Sequence, residues 1–376
     1  MVAWKKLGEI GDVCMCKRIM KHQTFDKGDV PFFKIGTFGG TADAFINRDL
    51  FLEYKSKFSF PQKGDILLSA SGTIGRTVVY NGEDAYFQDS NIVWISNDES
   101  QVTNAFLYYC YQIVEWKIDG GTIKRLYNYN LKNTIIPVPS LSEQNRIVAI
   151  LDTFTSSIEN LKKQIAERLK QYEHYRDQLL DLEGKEGVEM KSLGEICDTL
   201  SGFPFDSAQF SEEGIQLMRG MNIKRGYFDF SEDNNKYWKS SEGLEKYLLE
   251  ANDIIISMDG SLVGRSFCYL KEEHLPLLLV QRVARIRTKE NYKYIYYNIS
   301  KRFPDYVDKK KTAGAIPHIS MKDINGFIIP LPSKEEQSRI VSILDTFEAS
   351  ISNLEAQLSQ REKQYEYYRN KLLTFE

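Results

Sequence analysis

The 376-residue chain is 42% hydrophobic and 12% aromatic, the composition of a soluble globular protein with room for two domains or more. A formal net charge of −3 and a pI near 6.0 argue against a protein that coats nucleic acid unspecifically, and still allow local basic surfaces. No apolar run reaches membrane-spanning length and the opening MVAWKKLGEI is too polar for a signal peptide, so a cytoplasmic protein that touches no membrane is expected.

The chain opens with LGEI (Leu7–Ile10) and then CMC, where Cys14 and Cys16 lie beside Lys17, Arg18 and Lys21. The other cysteines, Cys110, Cys197 and Cys268, are scattered. The odd total predicts reduced thiols and no zinc site. DILLSA (Asp65–Ala70) reads as a buried strand, followed by the glycine turn SGTIGR with Gly72, Gly75 and Arg76. NIVWI reads as a second strand, and NAFLYYCYQIVEWKI (Asn104–Ile118) as an aromatic-rich helix. Lys124 and Arg125 follow, next to Tyr127 and Tyr129. Pro137 and Pro139 then keep the chain extended and force a helix to start after them.

From Glu143 to Leu180 the sequence is helical and recurs from Glu336 to Leu373, with 24 of 38 positions identical at an offset of 193. Apolar residues step by four and three: Ile147, Leu151, Phe154, Ile158, Leu161, Ile165, Tyr172, Tyr175 and Leu179, then Ile340, Leu344, Phe347, Ile351, Leu354, Leu358, Tyr365, Tyr368 and Leu372. That is a heptad seam. Neither run holds a Pro or Gly, Ser142–Glu143 and Ser333–Glu336 offer caps, and each helix is roughly 55 Å long. Arg168 and Arg361 take one seam position in both copies, as snorkelling side chains or as a register-setting polar layer.

The repeat extends outward. KSLGEI answers KKLGEI, NDIIISMDGSLVGR (Asn252–Arg265) answers GDILLSASGTIGR, AGAIPHI answers GGTIKRL, and IIPLPS answers IIPVPS. RVARIR (Arg282–Arg287) reads as a strand and NYKYIYYNISKRFPDYV (Asn291–Val307) as a helix. The expected architecture is α+β, with residues 1–142 and 185–335 as globular domains and 143–184 and 336–376 as helices. Only EGKEGVEM, with a reach of at most about 30 Å, separates helix 1 from the second domain. The helices are therefore expected to pair antiparallel, as a dumbbell with a pseudo-twofold axis.

No catalytic constellation is visible. There is no Walker A sequence and no dinucleotide fingerprint, and His22, His174, His274 and His318 have no metal spacing. PDYVDKK (Pro304–Lys310) holds its carboxylates too close together for a nuclease site. SGTIGR and DGSLVGR fit either a phosphate-binding loop or a structural turn with a surface Arg. Candidate DNA contacts are Lys17, Arg18, Lys21, Arg76, Lys124 and Arg125 in the first domain. In the second they are Arg219, Asn222, Lys224, Arg265, Arg282 and Lys310, within a wider set that includes Arg225, Arg285 and Arg287.

A variable domain closed by IIPVPSLSEQNRIVAILD or IIPLPSKEEQSRIVSILD and a long helix, given twice, resembles the specificity subunit of type I restriction-modification systems. LGEI, the two glycine-turn segments and GAIPHIS share in the resemblance, which covers essentially the whole chain. It implies a non-catalytic subunit, pseudo-dimeric as a single chain. Each domain would be a target recognition domain reading one half of a split, asymmetric site in double-stranded DNA. The helices, with Ile147, Leu151, Phe154, Ile158, Tyr172, Ile340, Leu344, Phe347, Ile351 and Tyr365, would set the spacing and dock two modification subunits, joined by restriction subunits. S-adenosylmethionine, ATP and Mg would then sit on those partners, with no cofactor or metal on this chain. Lys124–Arg125 stands where the second copy has Pro317–His318, so that loop is expected to differ between halves. The competing reading is a coiled-coil adaptor that binds proteins only.

Overall fold

The computed structural model describes residues 2–119, 124–310 and 317–375. Parts of GGTIKRL and AGAIPHI, together with Lys311, lie outside them. The chain divides into two compact units, Met1–Lys163 with Glu355–Glu376, and Gln164–Leu354. Each unit thus takes a part of both long helices.

In the first half the order is β1 (Ala3–Lys6), α1 (Leu7–Ile10), β2 (Gly11–Cys14), β3 (Val30–Phe33), β4 (Phe45–Ile46), α2 (Arg48–Lys57), β5 (Ile66–Ser69), β6 (Thr77–Val79), β7 (Tyr86–Phe87), β8 (Ile92–Asn97), α3 (Asn104–Tyr111), α4 (Asn128–Asn133), β9 (Ile135–Val138) and α5 (Leu141–Leu179). The second half repeats most of it: β10 (Glu189–Ser192), α6 (Leu193–Ile196), β11 (Cys197–Ser201), β12 (Ile215–Met218), β13 (Tyr237–Trp238), β14 (Ile254–Ser257), β15 (Phe267–Tyr269), β16 (Leu277–Leu279), β17 (Val283–Thr288), α7 (Tyr292–Lys310), α8 (Met321–Asn325), β18 (Ile328–Leu331) and α9 (Lys334–Thr374).

Sheet topology is the same in both units. A ribbon, β1–β9 or β10–β18, accompanies a four-stranded sheet, β2-β8-β5-β6 or β11-β17-β14-β15, and a three-stranded sheet, β4-β3-β7 or β13-β12-β16. The three-stranded sheets even share the parallel pairing of β3 with β7 and of β12 with β16. Buried strands explain the apolar runs. Alternate residues of β5 and β8 face opposite sides. Ile66, Leu68, Val93 and Ile95 enter a core with α3 and the start of α5, while Leu67, Ile92 and Trp94 enter a second core with the three-stranded sheet. Ile254, Ile256 and Ile286 against Ile255 and Val283 repeat this division in the other unit.

Three local expectations change. The cap of α5 is Ser140 rather than Ser142: its Oγ accepts the amide of Glu143 at 3.3 Å, as Ser333 Oγ accepts that of Glu336. Glu143 and Glu336 do not reach back. Each takes a bidentate pair from the Arg three residues on, Arg146 or Arg339. The aromatic helix of the first half ends at Tyr111, because the chain turns and sets Trp116 edge-on to the Tyr111 ring, 5.3 Å between centroids. Its counterpart α7 runs to Lys310, through Pro304.

Candidate nucleic-acid interface

The glycine turns close on themselves. Gly75 N donates to Ser69 O at 3.0 Å and Arg76 N to Ser69 Oγ at 2.9 Å. Val263 N and Arg265 N donate to Gly260 O and Leu262 O. The two arginines are ties as well: Arg76 donates to Phe38 O at 2.8 Å, and Arg265 grips Asp308 with both terminal nitrogens. These bonds give the turns a structural role, closing each one on itself and fixing both arginines. In PDYVDKK, Asp308 is the partner that holds Arg265. Among the described residues, no group of three or more His, Cys, Asp and Glu could hold a metal ion.

What the turns do position is a polar frame at the end of each four-stranded sheet. In the first unit Ser71, just past β5, bridges Arg125. Ser71 Oγ lies 2.8 Å from Asn91 Oδ1, and Arg125 donates to Ser90 O at 2.7 Å and to Asn91 Oδ1 at 3.3 Å. Ser90 has φ +59°, which directs its carbonyl to the guanidinium's side of the loop. Arg18 joins through Asp89 at 2.8 Å. Lys17, Lys21 and Lys124 are exposed on the flanking segments, with Lys17 Nζ 5.0 Å from the Phe58 ring centre.

The second unit builds the same frame from other chemistry. Asp259, at the place of Ser71, bridges His318, at the place of Arg125. Arg282, preceding β17 as Asn91 precedes β8, donates to Asp259 Oδ2 at 3.0 Å and has φ +63°. Gly220 lies close enough that an added Cβ would sit 3.1 Å from Ser257 Oγ, which brings Arg219 to the frame's side. Arg219 lies over the Phe210 ring at 5.7 Å, within cation–π range.

Other predicted contacts do not converge. Asn222 is fully buried: Oδ1 accepts Arg219 N at 3.0 Å, and Nδ2 serves Asp229 O and Asn234 O. It holds the loop and cannot touch DNA. Lys224 is paired with Asp229 at 3.5 Å, and Lys310 lies 6.0 Å from the Tyr306 ring, at the end of α7. Arg285 and Arg287 are structural, bonded to Asp198 and to Asp253 with Glu250. Sequence reasoning read His318 only as part of a loop that differs between halves, and it missed Ser71, Asn91 and Asp259. Aligning the halves at the glycine turns exposes the first and last of these, whereas Asn91 against Arg282 needs the strand pairing.

The helix residues are spent internally. Ile147 and Leu151, and likewise Ile340 and Leu344, are fully buried in the cores of their own units, so they are not available to dock a partner. In the first unit Phe154 stacks on Tyr368 at 5.3 Å with Arg361 over its ring at 5.6 Å. In the second, Phe347 stacks on Tyr175 at 5.4 Å with Arg168 over it at 5.8 Å. Tyr172 donates to Glu348 at 3.1 Å and Tyr365 to Gln112 at 2.6 Å. Ile351 is buried and Ile158 half-buried. The seam Arg is therefore a cation–π partner in both copies.

Comparison with known proteins agrees with this repeat. The type I restriction modification DNA specificity domain matches residues 1–171 and again 185–362. A type I restriction enzyme specificity subunit of Haemophilus influenzae is 59% identical over 181 residues, covering 47% of this chain and 47% of that protein. The specificity subunit of the Escherichia coli EcoR124I/EcoR124II enzyme is 35% identical over 300 residues, 74% of this chain and 73% of that protein. The crystal structure of the type I restriction-modification S subunit from M. genitalium shares the fold, with a TM-score of 0.62, 18% identity, and 99% of this chain and 96% of that one covered. Two copies of one domain, each closed by a long helix, place the chain in the type I restriction-modification DNA specificity family.

Proposed function

We propose that this chain is the DNA-reading subunit of a type I restriction-modification complex, and that each unit reads one half of a bipartite, asymmetric site. The carrying observation is the frame. One backbone arrangement presents Ser71, Asn91 and Arg125 in one unit, and Asp259, Arg282 and His318 in the other. Arg and Asn are suited to guanine and adenine edges, carboxylate to the cytosine amine. Different groups on one frame give different half-sites.

The helices support the spacing role. Rising numbers on α5 meet falling numbers on α9 in the first unit, Phe154 with Tyr368 and then Lys162 with Glu362, and in the second unit Tyr172 meets Glu348. This supports antiparallel coiled-coil pairing. Two modification subunits dock on the outer helix faces, since the inner seam is filled, and restriction subunits join them. This chain contributes no catalysis. S-adenosylmethionine, ATP and Mg belong to the partner subunits.

The test is co-expression with a candidate modification subunit, followed by a map of methylated adenines. The wild type should give one split site. Arg125→Ala should relax one half-site by about 1–3 kcal/mol of discrimination and leave the other intact, and Arg282→Ala should do the reverse. Loss of both halves from either change, or no methylation from any partner combined with salt-insensitive DNA binding, overturns the reading in favour of a protein-only adaptor.

A further inference from the structure

The hairpin after the second unit's Arg219 has an exposed tip. Lys224 N donates to Tyr227 O at 3.0 Å, Ile223 bridges Phe228, and Gly226 has φ +78°, so Arg225 and Gly226 form the tight turn. The tip is tied down, because Gly226 N donates to Phe267 O on β15 at 3.1 Å. Between this tip, β15 and α7 lies a cavity of about 420 Å³. Its walls include Arg225, Arg265, Tyr296 and Ser300, with Phe267 as an apolar side; among the described residues no carboxylate lines it, and Asp308 pairs with Arg265.

Two features make this a seat for an anion. The polar side chains that line it are two guanidinium groups, a phenol and a hydroxyl, all able to donate. Burial pushes the Tyr296 hydroxyl far above its ordinary titration range, so it stays a donor. Arg265 is held in place by Asp308, whereas Arg225 makes no ion pair or side-chain hydrogen bond among the described residues. In the first unit the loop after β3 meets the corresponding arginine directly. There Phe38 O, in the loop after β3, accepts from Arg76, and Gly39 packs beside the Arg76 side chain.

We infer that the Arg225–Arg265 cavity seats a backbone phosphate of the bound DNA, as a positioning contact beside the second half-site. This rests on the proposed DNA-reading role. The segment that brings Arg219 to the polar frame continues directly into the hairpin that carries Arg225, so a strand read at one end passes the other. A phosphate contact fixes register and carries no base information of its own.

The experiment is DNA binding by the full chain as a function of salt, with wild type, Arg225→Gln, and Lys289→Gln as a charge-matched control outside the cavity. Arg225 is exposed and has no side-chain partner among the described residues, so its loss leaves the fold intact. The expected result for Arg225→Gln is a slope of log affinity against log salt shallower by about 0.9, with equal loss on specific and non-specific duplexes. Half-site preference in the methylation map should be unchanged. Three results overturn the inference: a slope equal to wild type, an equal change in the Lys289→Gln control, or an altered half-site. Inorganic phosphate at constant ionic strength separates the sources. Saturable phosphate binding lost in Arg225→Gln, together with an unchanged DNA slope, makes the cavity a free-anion site and refutes the DNA assignment. A wild type that binds no DNA refutes the functional reading itself, which an Arg225→Gln slope equal to a salt-dependent wild type does not.

Discussion

At the scale of single residues the two repeats differ where Glu348 stands against Thr155. Glu348 is sunk among Tyr172, Tyr297, Asp345 and Lys293, and burial pushes its carboxyl above the usual value of 4.5. Tyr172 donates to it, and Tyr297, whose own hydroxyl donates to Asp345 at 2.7 Å, lies beside it; both pull the other way, but burial is the larger effect. A carboxyl raised in the folded state favours folding fully below its unfolded value. That contribution is lost as pH climbs through the raised value. Glu348→Gln removes the titration while keeping an oxygen for the Tyr172 hydroxyl. Its melting midpoint should therefore gain on wild type as pH rises above the ordinary carboxyl value of 4.5, and converge with it below that value. A gap that does not change with pH would place the burial cost elsewhere. Gln144 and Gln337 show the opposite case, a residue kept in both copies for one local task. Each is fully buried and binds the helix start to the preceding proline carbonyl and to the loop before the aromatic helix. Alanine at either position strands those groups and should cost roughly 1–3 kcal/mol per unpaired group, read as a lower melting midpoint.

At the scale of elements, much was legible and the losses have physical causes. Buried strands of the four-stranded sheets could be read because both faces are covered, leaving short apolar runs that end in glycine. The three-stranded sheets could not: β4, β7 and β13 are two residues long, too short to carry a period. The aromatic run of the first half looked like a full helix because Trp116 is apolar in either state. In the fold it turns back, and an added Cβ on Gly75 would lie 2.7 Å from its indole nitrogen. In the second half the longer helix delivers Val307 to the same place, 2.6 Å from an added Cβ on Gly264, at φ +81°. Basic candidates were over-counted for a similar reason, since composition cannot tell Arg285 or Arg287 tied to carboxylates from Arg225 left open. The glycine gives an element-scale prediction. Gly264→Ala meets both a left-handed backbone and the Val307 side chain, a cost of about 2–4 kcal/mol. Adding Val307→Ala should restore only the steric part. Full restoration would mean that backbone conformation contributes nothing.

At the scale of the whole molecule the long helices are where repetition itself becomes function. The Arg–Phe–Tyr arrangement occurs once in each unit with its members exchanged between copies, Arg361, Phe154 and Tyr368 against Arg168, Phe347 and Tyr175. Such contacts define one register of α5 on α9, because a slip by one heptad takes each guanidinium off its ring. Deleting seven residues from the middle of both helices preserves the seam and both flanking sets of contacts, and shortens each helix by about 10 Å. Deleting seven from one helix alone sets the two units' contact sets in conflict. Under the proposed spacing role the paired deletion should keep both half-sites and shift the number of base pairs between them, by about three at 3.4 Å per pair. The single deletion should lower the melting midpoint and abolish methylation of the split site. A methylation map with an unchanged spacer after the paired deletion would show that something other than helix length sets the distance between the half-sites.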